Sequence, residues 1–184
     1  MDQVQNQSSE PKKKSRKWLW ILGGIIVVII IIAAASGGNN EPTKVGETNT
    51  ANSNTNQQTE FAVGDKIKID NYTMTVNKVE RNWQSPADYD KPETGKEYVL
   101  VEVTITNEGS SSISYNTFDF KMQDSDGVQK TETYTMATNK LNSGDLAPGG
   151  KVTGNLTYDV PTGATGLKLL FAPTFWGKTV TVNL

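Results

Sequence analysis

The strongest strand pattern in the chain is Glu97 to Asn107, EYVLVEVTITN, in which residue character alternates with a period of two. One face carries only β-branched apolar side chains, those of Val99, Val101, Val103 and Ile105. The other face is mixed and consists of Tyr98, Leu100, Glu102, Thr104 and Thr106. Because successive side chains of a strand point to opposite faces, the pattern predicts a β-strand whose Val/Ile face lies in the core.

The same alternation recurs on both sides of this strand. Clear examples are Tyr72 to Val79, Lys151 to Asp159 and Val180 to Leu184, and shorter ones are Lys66 to Ile69, Thr117 to Gln123, Val128 to Thr133 and Leu167 to Phe171. Turn formers such as Asp124-Ser125-Asp126-Gly127 separate them. No segment after residue 60 has a convincing helical period. The sequence predicts an all-β domain, an immunoglobulin-like two-sheet sandwich of seven to eight strands, with a closed barrel as the alternative.

Three segments of this domain resemble a known family in order and spacing. They read GDKIKIDNYTMTVNKVE, PETGKEYVLVEVTITNEGSSS and LAPGGKVTGNLTYDVP, and the resemblance covers about Val63 to Leu184. The family is a domain of unknown function found in envelope proteins of Gram-positive bacteria. Its members are similar to a secreted mycobacterial immunoprotective antigen, which implies an immunoglobulin-like sandwich. The resemblance implies no catalytic or binding residue, because the family's role is unknown.

The composition excludes several classes of site. The chain of 184 residues contains no Cys and no His. Without Cys there is no disulfide, thiol nucleophile or lipoprotein cysteine, and this sequence departs there from the many relatives that are lipoproteins. Without His there is no Ser-His-Asp triad and no His-ligated metal. We therefore expect a non-enzymatic protein that uses no cofactor and no metal.

An uncharged apolar segment, Trp18 to Ala35, precedes the β domain. A helix over residues 18–35 is about 27 Å long, close to the ~30 Å hydrocarbon core, so we predict a single transmembrane helix that acts as a signal-anchor. Five Lys/Arg lie in residues 1–17, whereas the part after the span carries 13 Lys/Arg and 18 Asp/Glu. This asymmetry predicts a basic cytoplasmic tail at 1–17 and an extracellular C-terminal domain. The alternative is secretion after signal cleavage near Ala35, because Ala33-Ala34-Ala35 fits a cleavage site.

The segment between span and domain, residues 36–60, is rich in Asn, Thr, Ser and Gly, and Val45 is its only large apolar residue. Such a composition buries too little surface to offset the entropy of ordering. It therefore predicts a flexible, disordered linker. The extracytoplasmic domain is then expected at residues 61–184.

The loop from Arg81 to Lys96, RNWQSPADYDKPETGK, is the main candidate interaction site. It is long and polar, and it contains the aromatic residues Trp83 and Tyr89. Long irregular loops often carry function, and an exposed aromatic ring stacks on sugars or anchors a protein partner. We therefore expect Trp83 and Tyr89 to contact an envelope protein or glycan. The alternative for Trp83 is that it covers the open end of the sandwich.

Carboxylates are the remaining groups for acid–base or metal chemistry. Asp88, Asp90 and Glu93 are close together in the loop, and Asp124 and Asp126 share a turn. A hydrolase needs two carboxylates facing across a cleft, and calcium needs six to eight oxygens. The turn at Asp124 begins like a calcium loop but lacks the acidic residue at its twelfth position, so we expect an ordinary turn.

Together these observations predict a membrane-anchored interaction or binding module of a bacterial cell envelope, held by one spanning helix. The alternatives are a carboxylate-dependent envelope hydrolase and a structural spacer for an envelope complex. The basic run before the span is a topology signal, and the outer part is acidic. We therefore expect no nucleic-acid partner.

Overall fold

The computed structural model describes residues 42–45, 60–173 and 178–184. All of these belong to the second of two compact units, which begins at Asn40. Within the described ranges there is no helix with the length and apolar character needed to cross a membrane. The predicted tail at 1–17, the predicted span at 18–35 and most of the predicted linker lie outside these ranges.

The described part of the chain forms twelve strands and one 3-10 helix. The strands are β1 (Thr43–Lys44), β2 (Glu60–Ala62), β3 (Ile67–Ile69), β4 (Tyr72–Glu80), β5 (Lys96–Asn107), β6 (Ile113–Tyr115), β7 (Phe120–Gln123), β8 (Gln129–Lys130), β9 (Gly144–Leu146), β10 (Lys151–Pro161), β11 (Lys168–Phe171) and β12 (Val180–Asn183). The 3-10 helix is Thr117–Asp119. The number of strands exceeds the predicted seven to eight because six of them are only two or three residues long, and five of these six lie at edges or in a small separate pair.

The strands build two five-stranded sheets. The first sheet has the order β1-β3-β4-β5-β10 and is antiparallel throughout. The second sheet has the order β2-β12-β11-β7-β8, and its β2–β12 pair is parallel. A small third sheet pairs β6 with β9. The prediction of an all-β sandwich is confirmed.

The core lies between the two large sheets and follows the alternation seen in the sequence. Val99, Val101 and Val103 of β5 are completely buried. They face aromatic and aliphatic side chains of the second sheet, where the Phe120 and Phe171 rings lie 4.5 Å apart. Because apolar burial provides most of the driving force for folding, the Val/Ile face of β5 fixes which side of the first sheet is inside.

Strand β1 lies in the segment that the sequence analysis assigns to the flexible linker. Thr43 pairs with Lys68 and Lys44 pairs with Ile67, which adds β1 to the edge of β3. The Lys44 ammonium lies 2.9 Å from the Asp65 carboxylate. The flexible-linker prediction therefore does not hold for Thr43 and Lys44. The signal was missed because two residues are too few to show a period.

An irregular segment, residues 131–143, covers the free edge of β10. Its Thr133 N–H donates to the Thr157 carbonyl at 2.7 Å, and its Leu141 N–H donates to the Asn155 carbonyl at 3.1 Å. The Asn155 N–H donates in return to the Asn139 carbonyl at 2.8 Å. These bonds satisfy edge groups of β10 that would otherwise be open for pairing. They also hold the segment along the β10 edge, where Thr135 bonds to Thr157 on the outer face and Leu141 is buried in the core.

Candidate functional site

The loop from Arg81 to Lys96 folds back onto the outer face of the first sheet. The Trp83 N–H donates to the Tyr98 carbonyl at 3.0 Å, and the two rings lie 6.2 Å apart at a tilt of 45°. Trp83 is half-buried as a result. Trp83 thus packs against the outer face of the first sheet at Tyr98. Tyr89, by contrast, is 80% exposed.

Asp90 fixes the loop in place. Its carboxylate accepts hydrogen bonds from the Ser85 hydroxyl at 2.6 Å, the Tyr98 hydroxyl at 3.1 Å and the backbone N–H of Met136 at 2.6 Å. Burial raises the pKa of Asp90, but these hydrogen bonds and the nearby Lys140 outweigh it, so the pKa lies below its ordinary value. Asp90 is therefore an ionised acceptor that ties the loop to the 131–143 segment.

This tie creates an exposed aromatic surface from two segments. Tyr89 adjoins Asp90 in the loop, and Tyr134 and Met136 belong to the bonded segment. Tyr134 is 76% exposed, and the Lys140 ammonium lies 3.8 Å from the centre of its ring. We call Tyr89, Tyr134 and Met136 the tyrosine surface. Tyr134 was missed in the sequence, although the alternation around buried Thr135 places it on the outer side.

A buried charge pair supports the base of the loop. Glu97 is 3% exposed and forms an ion pair with the Arg81 guanidinium. The Gly163 N–H also donates to the Glu97 carboxylate, at 3.3 Å. Since a buried carboxylate needs such partners, both ends of the loop are anchored where β4 ends and β5 begins.

Two of the other acidic candidates, Asp124 and Glu93, have structural partners. The Asp124 carboxylate accepts the N–H groups of Asp126 at 3.1 Å and Val128 at 2.9 Å, which closes the turn before β8. Glu93 pairs with Lys96 at 2.6 Å, and this contact lowers the pKa of Glu93. Among the described residues, no three acidic side chains are grouped so that they could hold a metal ion.

Comparison with known proteins places this domain among bacterial relatives. The chain is 31% identical over 112 residues to the uncharacterized lipoprotein YjhA of Bacillus subtilis, a match over 55% of this chain and 53% of that protein. The chain thus spans about half the length of this curated relative.

Solved structures also resemble the fold. The crystal structure of the yjhA protein matches with a TM-score of 0.56 and 26% identity, over 67% of this chain and 98% of that chain. The ycdA protein of Bacillus subtilis matches in fold with a TM-score of 0.52 and 21% identity, over 62% of this chain and 36% of that chain.

The profile of one family, described as a domain of unknown function (DUF4352), matches residues 61–181. These residues include both large sheets from Phe61 onward, the loop with Trp83 and Tyr89, and the 131–143 segment. The family resemblance inferred from the sequence is confirmed, and the chain belongs to the DUF4352 family.

Proposed function

We propose that this protein is a non-enzymatic binding module of the bacterial cell envelope, an immunoglobulin-like domain that recognises an envelope glycan or protein. The observation that carries the proposal is the tyrosine surface. Two tyrosines exposed by 80% and 76% stand on segments that Asp90 joins. An exposed ring loses little entropy on binding when its backbone is already fixed, so such surfaces suit recognition.

The anchoring part of the proposal rests on the sequence. The curated relative is named a lipoprotein, which favours an envelope location for this chain as well. A lipoprotein is anchored through a cysteine, and this sequence has none. We therefore propose that the apolar segment at 18–35 holds the protein in the membrane, with the β domain outside.

The non-enzymatic character is supported by the way that Asp90 is used. Its carboxylate accepts three hydrogen bonds and has a lowered pKa, which suits a structural acceptor better than a general acid. Glu97 is likewise committed to Arg81 and to a backbone N–H. Asp90 and Glu97 therefore serve to hold the loop that carries Tyr89.

The test compares Tyr89→Ala and Tyr134→Ala with Phe118→Ala. Phe118 is 76% exposed but lies on the 3-10 helix, so its removal deletes an equally exposed ring elsewhere. The assay is crosslinking followed by affinity purification from intact cells, together with co-sedimentation with purified Bacillus subtilis cell walls. We expect both tyrosine variants to lose at least about tenfold in capture, and Phe118→Ala to match the wild type.

Equal capture by the wild type and both tyrosine variants would refute the tyrosine surface as the binding site. The location has a separate test, since protease added to intact cells should remove the domain from Glu60 onward. Protection of that domain until the membrane is opened would contradict the proposed orientation.

A further inference from the structure

A second polar surface lies on the same side of the first sheet as the tyrosine surface. Register places Lys68, Thr73, Thr106 and Lys151 in one row across β3, β4, β5 and β10. Thr75, Thr104 and Thr153 form the next row, and Lys66 borders it. We call these eight residues the lysine–threonine face. Because neighbouring strands are ~4.8 Å apart, Lys68 and Lys151 stand about 14 Å from one another.

Six residues of the lysine–threonine face, together with Asn77, line a shallow open depression of about 260 Å³, and Lys68 and Thr153 lie beside it in the same rows. The Thr104 and Thr153 hydroxyls lie 2.8 Å apart, and the Asn77 side-chain amide donates to Thr104 at 2.8 Å. Within the part of the chain that the structure describes, the Thr75 and Thr106 hydroxyls make no hydrogen bond. They therefore remain as donors to a ligand in the depression.

The charge of the lysine–threonine face is positive, although the domain as a whole is acidic. Glu108 offsets part of this charge, because its carboxylate lies 3.0 Å from the Lys66 ammonium and accepts from Thr73 at 3.2 Å. The hydrogen bonds from Lys66 and Thr73 and the charge of Lys68 lower the pKa of Glu108. Lys68 and Lys151 are exposed and form no ion pair among the described residues. Ammonium groups beside hydroxyl donors are the chemistry that binds phosphate oxygens.

The two surfaces occupy opposite halves of one sheet. The outward side chains of β5 run from Tyr98, which the loop covers, to Thr104 and Thr106, which line the depression. Tyr98 and Thr106 are eight residue steps apart along β5, a distance of about 27 Å. The loop covers the half of the sheet at Tyr98, and the 131–143 segment runs along the β10 edge beside Asn155 and Thr157, so the lysine–threonine face is the open half of the outer face. A flexible extended polymer can enter the open half of the sheet beside the loop more readily than a flat membrane can.

We propose that the ligand is a sugar- or polyol-phosphate polymer, whose phosphodiester groups bind the lysine–threonine face while its sugar or polyol units contact the tyrosine surface. This inference rests on the proposed binding function and specifies its ligand class. The polymer lies along the outer face of the first sheet. Lys68 and Lys151 bind phosphates, and the Thr75 and Thr106 hydroxyls donate to their oxygens.

The experiment measures binding of the full chain, in non-ionic detergent, to purified Bacillus subtilis cell walls before and after hydrofluoric-acid extraction of phosphodiester polymers. The test variant is Lys68→Gln/Lys151→Gln. The charge-matched control is Lys121→Gln/Lys168→Gln, which removes two lysines from the outer face of the second sheet. Poly(glycerol phosphate) and polygalacturonate, at equal charge concentration, serve as competitors.

We expect the test variant to bind untreated walls about tenfold more weakly than the wild type, since each exposed lysine contributes modestly. The control pair should bind like the wild type. Extraction should weaken wild-type binding and remove the difference between the variants. Poly(glycerol phosphate) should compete, and polygalacturonate should compete much less.

Three results would overturn the inference: equal losses in the test and control pairs, unchanged wild-type affinity for extracted walls, or equal competition by both polyanions. Failure here is distinguishable from failure of the proposed function. If extracted walls still bind and Tyr89→Ala still weakens that binding, the tyrosine surface binds a ligand without phosphate. If neither the lysine nor the tyrosine variants change binding, both proposals fail.

Discussion

Gly154 of β10 is the position where a single methyl group should be most damaging. It is buried opposite Val103, and the 131–143 segment passes directly over it. A Cβ atom at Gly154 would lie 2.4 Å from the Leu141 Cα and 2.7 Å from the Leu141 nitrogen. Both are backbone atoms, so no side-chain rotation relieves the contact. The Gly154→Ala substitution must push the segment away from the sheet.

The size of the effect follows from that displacement. Carbon atoms pack at roughly 3.5–4.0 Å, so the segment must move by about 1 Å. Overpacking of this kind costs about 1–3 kcal/mol, and the two backbone hydrogen bonds between Asn155 and the segment are worth about 0.5–1.5 kcal/mol each. Against this, Ala in a strand is better than Gly by about 0.5–1 kcal/mol. We expect Gly154→Ala to lower the free energy of unfolding by about 2–3 kcal/mol.

Urea unfolding, followed by tryptophan fluorescence, measures this difference. The matched control is Gly144→Ala in β9, where a Cβ atom would lie 2.9 Å from the Tyr115 hydroxyl oxygen. That oxygen is the end of a half-buried side chain that can rotate away, so the control should change stability by less than about 0.5 kcal/mol. If Gly154→Ala were as stable as the wild type or more stable, the strand preference of Ala would outweigh the contact with the Leu141 backbone. The expected loss of stability from that contact would then be wrong.

Three further predictions concern buried polar groups. Because the pKa of Asp90 is lowered in the folded state, its contribution to folding stability is present above the unfolded pKa of about 3.9 and is lost as pH falls through the lower folded value. Asp90→Ala should therefore reduce the loss of stability at acid pH and speed hydrogen exchange at the Met136 amide. An unchanged exchange rate at Met136 would contradict the Asp90–Met136 hydrogen bond. The Thr135 hydroxyl donates to the buried Thr157 hydroxyl at 3.1 Å. Thr135→Val should lower the free energy of unfolding by about 1–2 kcal/mol, and the Thr135→Val/Thr157→Val double variant should lower it by less. If the two substitutions lowered it additively, this prediction would be wrong. The buried Tyr158 hydroxyl has no hydrogen-bond partner among the described residues, so Tyr158→Phe should leave the unfolding midpoint unchanged or raised, and a loss above about 1 kcal/mol would indicate a missed partner.

The long strands could be predicted because their residues alternate over many positions. β5 and β10 each bury one face along most of their length, and this burial is what a period of two detects. β1 and β8 have only two residues each, so they carry no period. Their strand character comes from pairing with β3 and β7, which only the folded chain brings near.

The candidate site could be predicted in part for a similar reason. The loop after β4 was identifiable from its length, and Tyr89 from its polar neighbours. Tyr134 was not identified, because its connection to the loop is the Asp90–Met136 hydrogen bond across 46 residues of sequence. Trp83 was identified in the sequence, but its role was not, since residue type alone does not distinguish a ring that packs on Tyr98 from one that binds a partner.

The division of the outer face into two halves nevertheless follows from the sequence of β5. The outward side chains of β5 change from Tyr98 and Leu100 to Thr104 and Thr106. A large outward apolar residue requires a cover, and the structure supplies it, since Leu100 is only 7% exposed. A threonine beside a lysine requires none, because it is solvated. The change of character along one strand therefore determines where loops lie over the sheet and where the sheet stays open to a ligand.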